Sequence, residues 1–380
     1  MTAADAWARS RRSLRAAVKR LVMGIPDLAL WPALRRRDGR GLRVLFGVHA
    51  YHPRIGGIEH QVAWMADDLR AKGYRCYVYA PRSPGDPRRV NGIPVVTSRW
   101  VARYCDVVLT YSASAPQREL GAYVASLARR PGYLHFPCSV FPVGRELLET
   151  ADRIIAKTPR DVDIAETVCG SSKKVVRVIH AAPESRRGRR GAFRARYGVT
   201  GDYIVWVGAW LAAKGVRNLS ERFAAFRARH PGRPLTLVMF GGYGRGEYPI
   251  DHPDIVRIDR NAADVPAALA DCLFVAFNSP PAPVGFDANP TILFEALLNA
   301  KTFVAQRGTP VLADVGHLGL VVSTDAEWLA AVERLVFDEA GRREREAACA
   351  RAYRETFNYP AMMAQMEAAI RSVADARSGG

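Results

Sequence analysis

Residues 42–80 constrain the fold most. "LRVLFGV" (42–48) is an unbroken apolar run rich in β-formers, and a turn bearing Gly56 and Gly57 follows it. "IEHQVAWMADDLRAKG" then carries Ile58, Val62, Met65 and Leu69 at helical spacing, and "YRCYVYA" (74–80) is a second apolar run. Short apolar runs bounded by turns read as strands buried on both faces. Two of them joined by a helix make a βαβ unit, because parallel strands need a crossover connection.

The pattern continues along the chain. "DVVLTYS" (106–112), "GYLHF" (132–136), "RIIAKT" (153–158) and "KVVRVIH" (174–180) read as further strands. The charged, glycine-containing stretch 186–200 is expected to be a linker. A second series follows, with strands at "DYIVWVG" (202–208), "LTLVMFG" (235–241), "CLFVAFN" (272–278) and "TFVAQ" (302–306). Helices are predicted over 214–230, 289–300, 325–339 and 360–373. Two consecutive doubly wound, Rossmann-like halves, 42–185 and 201–358, make an α/β protein whose domains face across a ligand cleft.

The formal net charge of +18 favours an acidic partner, such as nucleotide phosphate, anionic lipid or nucleic acid. Forty-eight of the basic residues are Arg and only seven are Lys, the usage of a GC-rich bacterial genome. No aromatic-basic module for reading nucleic acid is present. The six Cys are too dispersed for a Cys-x-x-Cys clip and read as isolated thiols of a reducing compartment. No apolar run reaches the length of a membrane span. "LVMGIPDLALWPAL" (21–34) is interrupted by Pro26, Asp27 and Pro32, and no cleavage pattern follows it. The expected location is the cytoplasm. Residues 1–41 stand apart as a basic extension. Trp7, Leu14, Val18, Leu21 and Val22 fall near one helical face among Arg and Lys, which suits an anionic membrane surface on the inner face.

Chemistry concentrates at strand-to-helix junctions, where backbone N–H groups can face an anion. Gly56 and Gly57 open one helix, with Glu59 close behind. "WVGAWLAAKG" (206–215) brings Gly208 and Lys214 to another junction, and "FGGYGRG" (240–246) places Gly241 after a third strand. In "FDANPTILFEALLNA" (286–300), Asn289 is expected to cap a helix with Pro290 at its first position. The free amides and dipole there favour a diphosphate. Glu295 would lie about 7.5 Å along the axis, and Asp287 beyond the other end. One carboxylate can hold the two hydroxyls of a ribose, the other a hydroxyl of a transferred group. "DVD" (161–163) is only superficially a metal motif, and no metal site is expected.

In this order the motifs resemble those of retaining GT-B glycosyltransferases of the large group 1, family 4. The resemblance covers residues 42–375. Asp287 to Glu295, followed by Ala296, is similar to the family's Glu, seven residues, Glu, Ala signature. "YHPRIGGIEHQVAWMADDLRAKGY" resembles its Gly-Gly-x-Glu loop and helix, and "YLHFPCS" (133–139) its Tyr-x-His-x-Pro segment. "TADRIIAKTPRDV" is similar to Ala-Asp-x-Ile-x-x-x-Ser, "VGAWLAAKG" to Val-Gly-Arg…Lys-Gly, and "FNYPAMMAQME" to the start of its terminal helix.

The resemblance implies transfer of a sugar from a UDP- or GDP-sugar to an acceptor hydroxyl with retention, without a bound metal or permanent cofactor. It implies that Glu295 binds the ribose and that Asp287, Ala288, Asn289 and Pro290 hold the donor. Gly208, Gly241 and Lys214 would serve the diphosphate with Gly56 and Gly57, and His135 would contact the sugar near the reacting carbon. Catalytic roles thus fall on His135, Lys214 and Asp287. The acceptor would lie on the first domain near His49, Tyr51, Glu59 and residues 111–120. It would be a lipid-linked glycan, a surface-polymer precursor or a soluble natural product. Residues 359–380 would cross back to the first domain. Three positions depart from the family pattern: Ala209 replaces its Arg, Asp287 its first Glu, and Ala300 and Thr302 its usual Gly and Pro. Arg217 or Arg245 are the candidates to replace the missing cation. A nucleotide- or glycan-binding protein without transferase activity and a sugar-nucleotide epimerase are the alternative expectations on this fold.

Overall fold

The computed structural model describes residues 25–35, 41–54, 56–138, 144–241, 246–259, 262–280 and 287–378. The basic helix expected around Trp7 to Val22, together with Gly242, Gly244 and Arg245, lies outside them. The described residues separate into two compact units. The first comprises those through Pro137, Gly144–Ile154 and those from Glu367 on; the second comprises Cys138 and Ile155–Met366.

Among the described residues, the first elements are α1 (Trp31–Arg35), β1 (Arg43–Gly47), α2 (Gly57–Ala71) and β2 (Arg75–Tyr79). β3 (Arg89–Val90) and β4 (Ile93–Val96) form a hairpin, and β5 (Val107–Tyr111), α3 (Ala115–Ala125) and β6 (Gly132–Phe136) follow. After α4 (Arg145–Thr150) come β7 (Arg153–Ala156), α5 (Pro159–Cys169) and β8 (Val175–Arg177). The sheet order is β3-β4-β2-β1-β5-β6-β7-β8. Every residue of β1, β5 and β6 is buried, as continuous apolar runs in a sheet covered on both faces demand. The hairpin was not foreseen; its short strands sit at the sheet edge. Asp27, ahead of α1, accepts from the Thr97 and Ser98 amides, each at 2.9 Å. That ties residues 25–35 onto the first unit.

The second unit continues with α6 (Ala192–Tyr197), β9 (Tyr203–Gly208), α7 (Val216–Arg229), β10 (Thr236–Gly241), β11 (Ile255–Asp259) and α8 (Val265–Asp271). Then come β12 (Val275–Phe277), α9 (Thr291–Leu298), β13 (Phe303–Gln306), α10 (Leu312–Val315), β14 (Leu320–Val322), α11 (Asp325–Phe337), α12 (Glu339–Glu355) and α13 (Tyr359–Ser378). β9 to β14 form a six-stranded parallel sheet in the order β11-β10-β9-β12-β13-β14. Alternate residues of β9 feed two cores: Tyr203 and Val205 join Phe193, Phe240 and Phe294, while Ile204 and Trp206 join Phe223, Phe226 and Trp328. The stretch expected as a linker holds α6, whose Phe193 is in the first of these cores.

Phe294, one turn into α9, packs edge-on against His180 and tilted against Phe357. Phe294→Ala should cost about 3–5 kcal/mol, measurable as a lower urea midpoint at unchanged m-value.

Candidate donor site at the β9/β12 switch point

In the second sheet, β9 leads through α7 to one side and β12 leads through α9 to the other. The two are neighbours, so the crevice beyond their carboxyl ends is the place where a parallel sheet binds ligands. The loop after β9 carries Ala209, Trp210 and Lys214. It is fixed by the polar residues that end β12. The Asn278 amide donates to the Gly215 carbonyl at 2.9 Å and to Asn218 at 3.0 Å, and the Ser279 hydroxyl donates to the Ala213 carbonyl at 3.2 Å. Gly215 has φ +62°, and a Cβ there would lie 2.2 Å from the Asn278 carbonyl oxygen, so only glycine fits. Thus tethered, Lys214 forms an ion pair with Asp287, and both are mostly buried. Two residues expected in one site are therefore brought together across 73 positions of sequence.

The start of α9 differs from expectation. Pro290 has ψ 124°, outside the helical region, and occupies the cap position, so the helix begins at Thr291. Asn289 therefore does not cap it. Its side-chain oxygen and nitrogen are buried with no hydrogen-bond partner among the described residues. The preceding Ala288 is buried, and its carbonyl accepts from the Val311 amide at 3.1 Å. Glu295 is only 4% exposed. Arg186 clasps it with two bonds, Nε to Oε1 at 2.9 Å and Nη2 to Oε2 at 3.3 Å. Burial pushes the Glu295 pKa up, and the guanidinium works against that rise. A carboxylate offers about four lone-pair positions, so two remain after Arg186. Arg186 was not anticipated as a site residue; it lies in the stretch expected as a linker.

Gly208 and Gly241 end β9 and β10 in register with one another. A Cβ at Gly241 would fall 1.7 Å from the Trp210 indole, so this glycine makes room for that ring. Trp210 in turn donates to Asp259 at 2.7 Å. Ala209 is buried beside them. Of its candidate replacements, Arg217 is exposed and pairs with Glu221 at 3.1 Å, and Arg245 lies outside the described residues. Arg222 is buried but committed to Asp325, Asn278 and Gln306, which makes it a brace of the sheet.

The remaining expected residues belong to the first unit. His135 is 1% exposed on β6, and its Nδ1 lies 2.9 Å from the Thr110 hydroxyl, which meets the Tyr133 hydroxyl at 2.7 Å. Burial lowers its pKa to about 3, so the imidazole is neutral at physiological pH. The Gly56 amide donates to Glu59 Oε2 at 2.8 Å, so it is already engaged; Gly57, which begins α2, is exposed. Glu59 is buried, and burial raises its pKa against the pull of His49, whose Nδ1 lies 3.7 Å from Oε1. Tyr51 is buried and its hydroxyl has no partner among the described residues. The "DVD" residue Asp161 serves a capping box: its carboxylate accepts from the Thr158 amide at 2.9 Å, and the Thr158 hydroxyl accepts from the Asp161 amide at 3.2 Å. Among the described residues, no cluster of three His, Cys, Asp or Glu side chains could hold a metal ion. Among them, too, no helix is long and apolar enough to cross a membrane.

Two parallel-sheet α/β units of this topology are those of the GT-B fold. No protein-family model and no curated protein matches the sequence. Solved structures do match. Sucrose-phosphate synthase from Thermosynechococcus elongatus aligns at 14% identity over 88% of this chain and 100% of its own, with a TM-score of 0.68. HepE from Anabaena in complex with UDP-glucose aligns at 15% identity over 87% and 100%, with a TM-score of 0.69. WaaG, a glycosyltransferase involved in lipopolysaccharide biosynthesis, aligns at 13% identity over 89% and 100%, with a TM-score of 0.62.

Arg186→Ala strands the Glu295 carboxylate in the interior and should cost about 3–5 kcal/mol near neutral pH. The carboxyl pKa, already raised by burial, rises further without the guanidinium. A carboxyl whose folded pKa exceeds its unfolded value contributes stability that is present below the unfolded pKa and lost as pH climbs through the folded one. The deficit of the variant should therefore shrink as pH is lowered, read by urea unfolding across a pH series. A deficit independent of pH would contradict the pairing.

Proposed function

We propose that the protein is a glycosyltransferase that moves a sugar from a UDP- or GDP-sugar to an acceptor hydroxyl with retention, in bacterial glycan, glycolipid or natural-product synthesis. The observation that carries this reading is the convergence of Lys214, Asp287, Asn289 and the Arg186–Glu295 pair at the β9/β12 switch point. HepE, crystallised with UDP-glucose, shares the fold. Glu295 takes the ribose hydroxyls on the lone pairs that Arg186 leaves open. Lys214 faces the diphosphate, and Asp287 and Asn289 hold the sugar. As the bond from the anomeric carbon to the phosphate oxygen breaks, negative charge grows on the diphosphate, where a fixed ammonium is most effective. The acceptor oxygen bonds the anomeric carbon on the same face, and its proton passes to the departing phosphate. No separate base is then required, which suits a His135 too weakly basic to accept a proton at neutral pH. His135 serves as a neutral hydrogen-bonding contact to the donor sugar.

The acceptor belongs on the first unit, near His49, Tyr51 and Glu59. The basic residues 1–40 would bring the enzyme to the inner face of an anionic membrane if that acceptor is lipid-linked. Incubation with a panel of UDP- and GDP-sugars should release the nucleoside diphosphate from one of them. Lys214→Ala should slow that release by about 10²–10³-fold, the usual effect of removing one group that stabilises transition-state charge, and Glu295→Ala should abolish it. Turnover that survives both substitutions, or none with any donor, would refute the assignment.

A further inference from the structure

The first sheet has a switch point of its own. β1 leads through α2 to β2 on one side, and β5 leads through α3 to β6 on the other, while β1 and β5 are paired neighbours. Gln117, in the first turn of α3, is 0% exposed, yet neither its Oε1 nor its Nε2 has a hydrogen-bond partner among the described residues. Its position can be derived. Leu120 of the same helix lies over the last residue of β1, since a Cβ on Gly47 would fall 2.8 Å from Leu120 Cδ2. Gln117 is three residues earlier on the same helical face, about 4.5 Å nearer the helix N-terminus. The helix runs back from the carboxyl edge of β5, so this step carries Gln117 past the end of β1, towards loop 48–51. A further buried polar atom just ahead of the same helix lacks a partner among the described residues: Ser114 Oγ, after β5.

Buried amides are almost always hydrogen-bonded, and leaving one unpaired is costly. A leucine would fill the same volume without that cost, so the glutamine calls for a partner that the described residues do not supply. Its chemistry narrows the choice. A primary amide offers donors on one side and an acceptor on the other. A phosphate or carboxylate supplies only acceptors and would leave Oε1 unpaired, and Glu59 at the same edge repels an anion. Two neighbouring hydroxyls, one accepting from Nε2 and one donating to Oε1, satisfy both ends. We propose that Gln117, with Ser114, forms a subsite for a neutral sugar ring or polyol, and that Gln117 selects among sugars by the orientation of two adjacent hydroxyls. This rests on the acceptor reading above and adds to it the class of acceptor and the residue that discriminates.

The test uses the full chain, with methyl glycosides of glucose, galactose, mannose and xylose and with myo-inositol as probes. Binding is read by saturation-transfer NMR and calorimetry, without any donor. At least one probe should bind the native protein. Gln117→Leu should weaken it about tenfold, the order of one or two lost hydrogen bonds, with an equal or higher melting temperature. Gln117→Glu, which loses the donor but keeps the shape, should reorder the preference among the epimers. Undiminished binding by Gln117→Leu, or no binding of any probe to the native protein, overturns the proposal. A parallel titration with UDP separates the two readings. Glycoside binding without UDP binding upholds this subsite and counts against the donor site, and UDP binding without glycoside binding does the reverse.

Discussion

The carboxylate of Glu295 is buried in an apolar helix, and the Arg186 guanidinium makes that burial tolerable. An isolated interior carboxylate would cost several kcal/mol, or would neutralise itself by taking a proton. The two-point clasp fixes α9 against the segment that precedes α6. Neighbouring contacts reinforce it: the Gly188 amide donates to Asn299 Oδ1 at 2.8 Å, and Arg187 donates to the Leu298 carbonyl at 2.7 Å. The N-terminal end of α9, with Asp287 and Asn289 ahead of it, is held by that anchorage.

The second charge pair, Lys214 with Asp287, joins the loop after β9 to the segment before α9. Neither loop is placed by its own charges. The loop carrying Lys214 is pinned by Asn278 and Ser279, and the segment carrying Asp287 is pinned through Ala288 and Val311. Backbone geometry is thus set by groups apart from the two charges. In the function proposed above, a ligand phosphate would replace Asp287 as the partner of Lys214 with little rearrangement. Preorganised charge in a partly dry crevice is the condition under which such a clamp is effective.

Much of this was legible in the sequence, for physical reasons that differ by element. Strands such as 132–136, and 203–206 of β9, are buried on both faces, so their apolar runs announced them. Lys214, Asp287 and Glu295 stood out because each sits at a fixed offset from a strand end or helix start, and the structure pairs the first two. α12 was not foreseen, because few of its residues, among them Cys349 and Tyr353, reach the core and the rest of its seventeen are largely polar. Arg186 was hidden in a run of arginines, 109 positions from the carboxylate it serves. The cap assigned to Asn289 failed because Pro290 stays extended and delays the helix by one residue. Gln117 gave no sequence signal, since a glutamine near a helix N-terminus is ordinary until its burial is known.

The most direct measurement is a crystal structure of the chain with UDP. The account predicts the diphosphate within hydrogen-bond distance of Lys214 Nζ and the ribose hydroxyls on Glu295, with Arg186 still bound to that carboxylate. A nucleotide bound away from the β9/β12 edge, or a ribose that leaves Glu295 untouched, would contradict it.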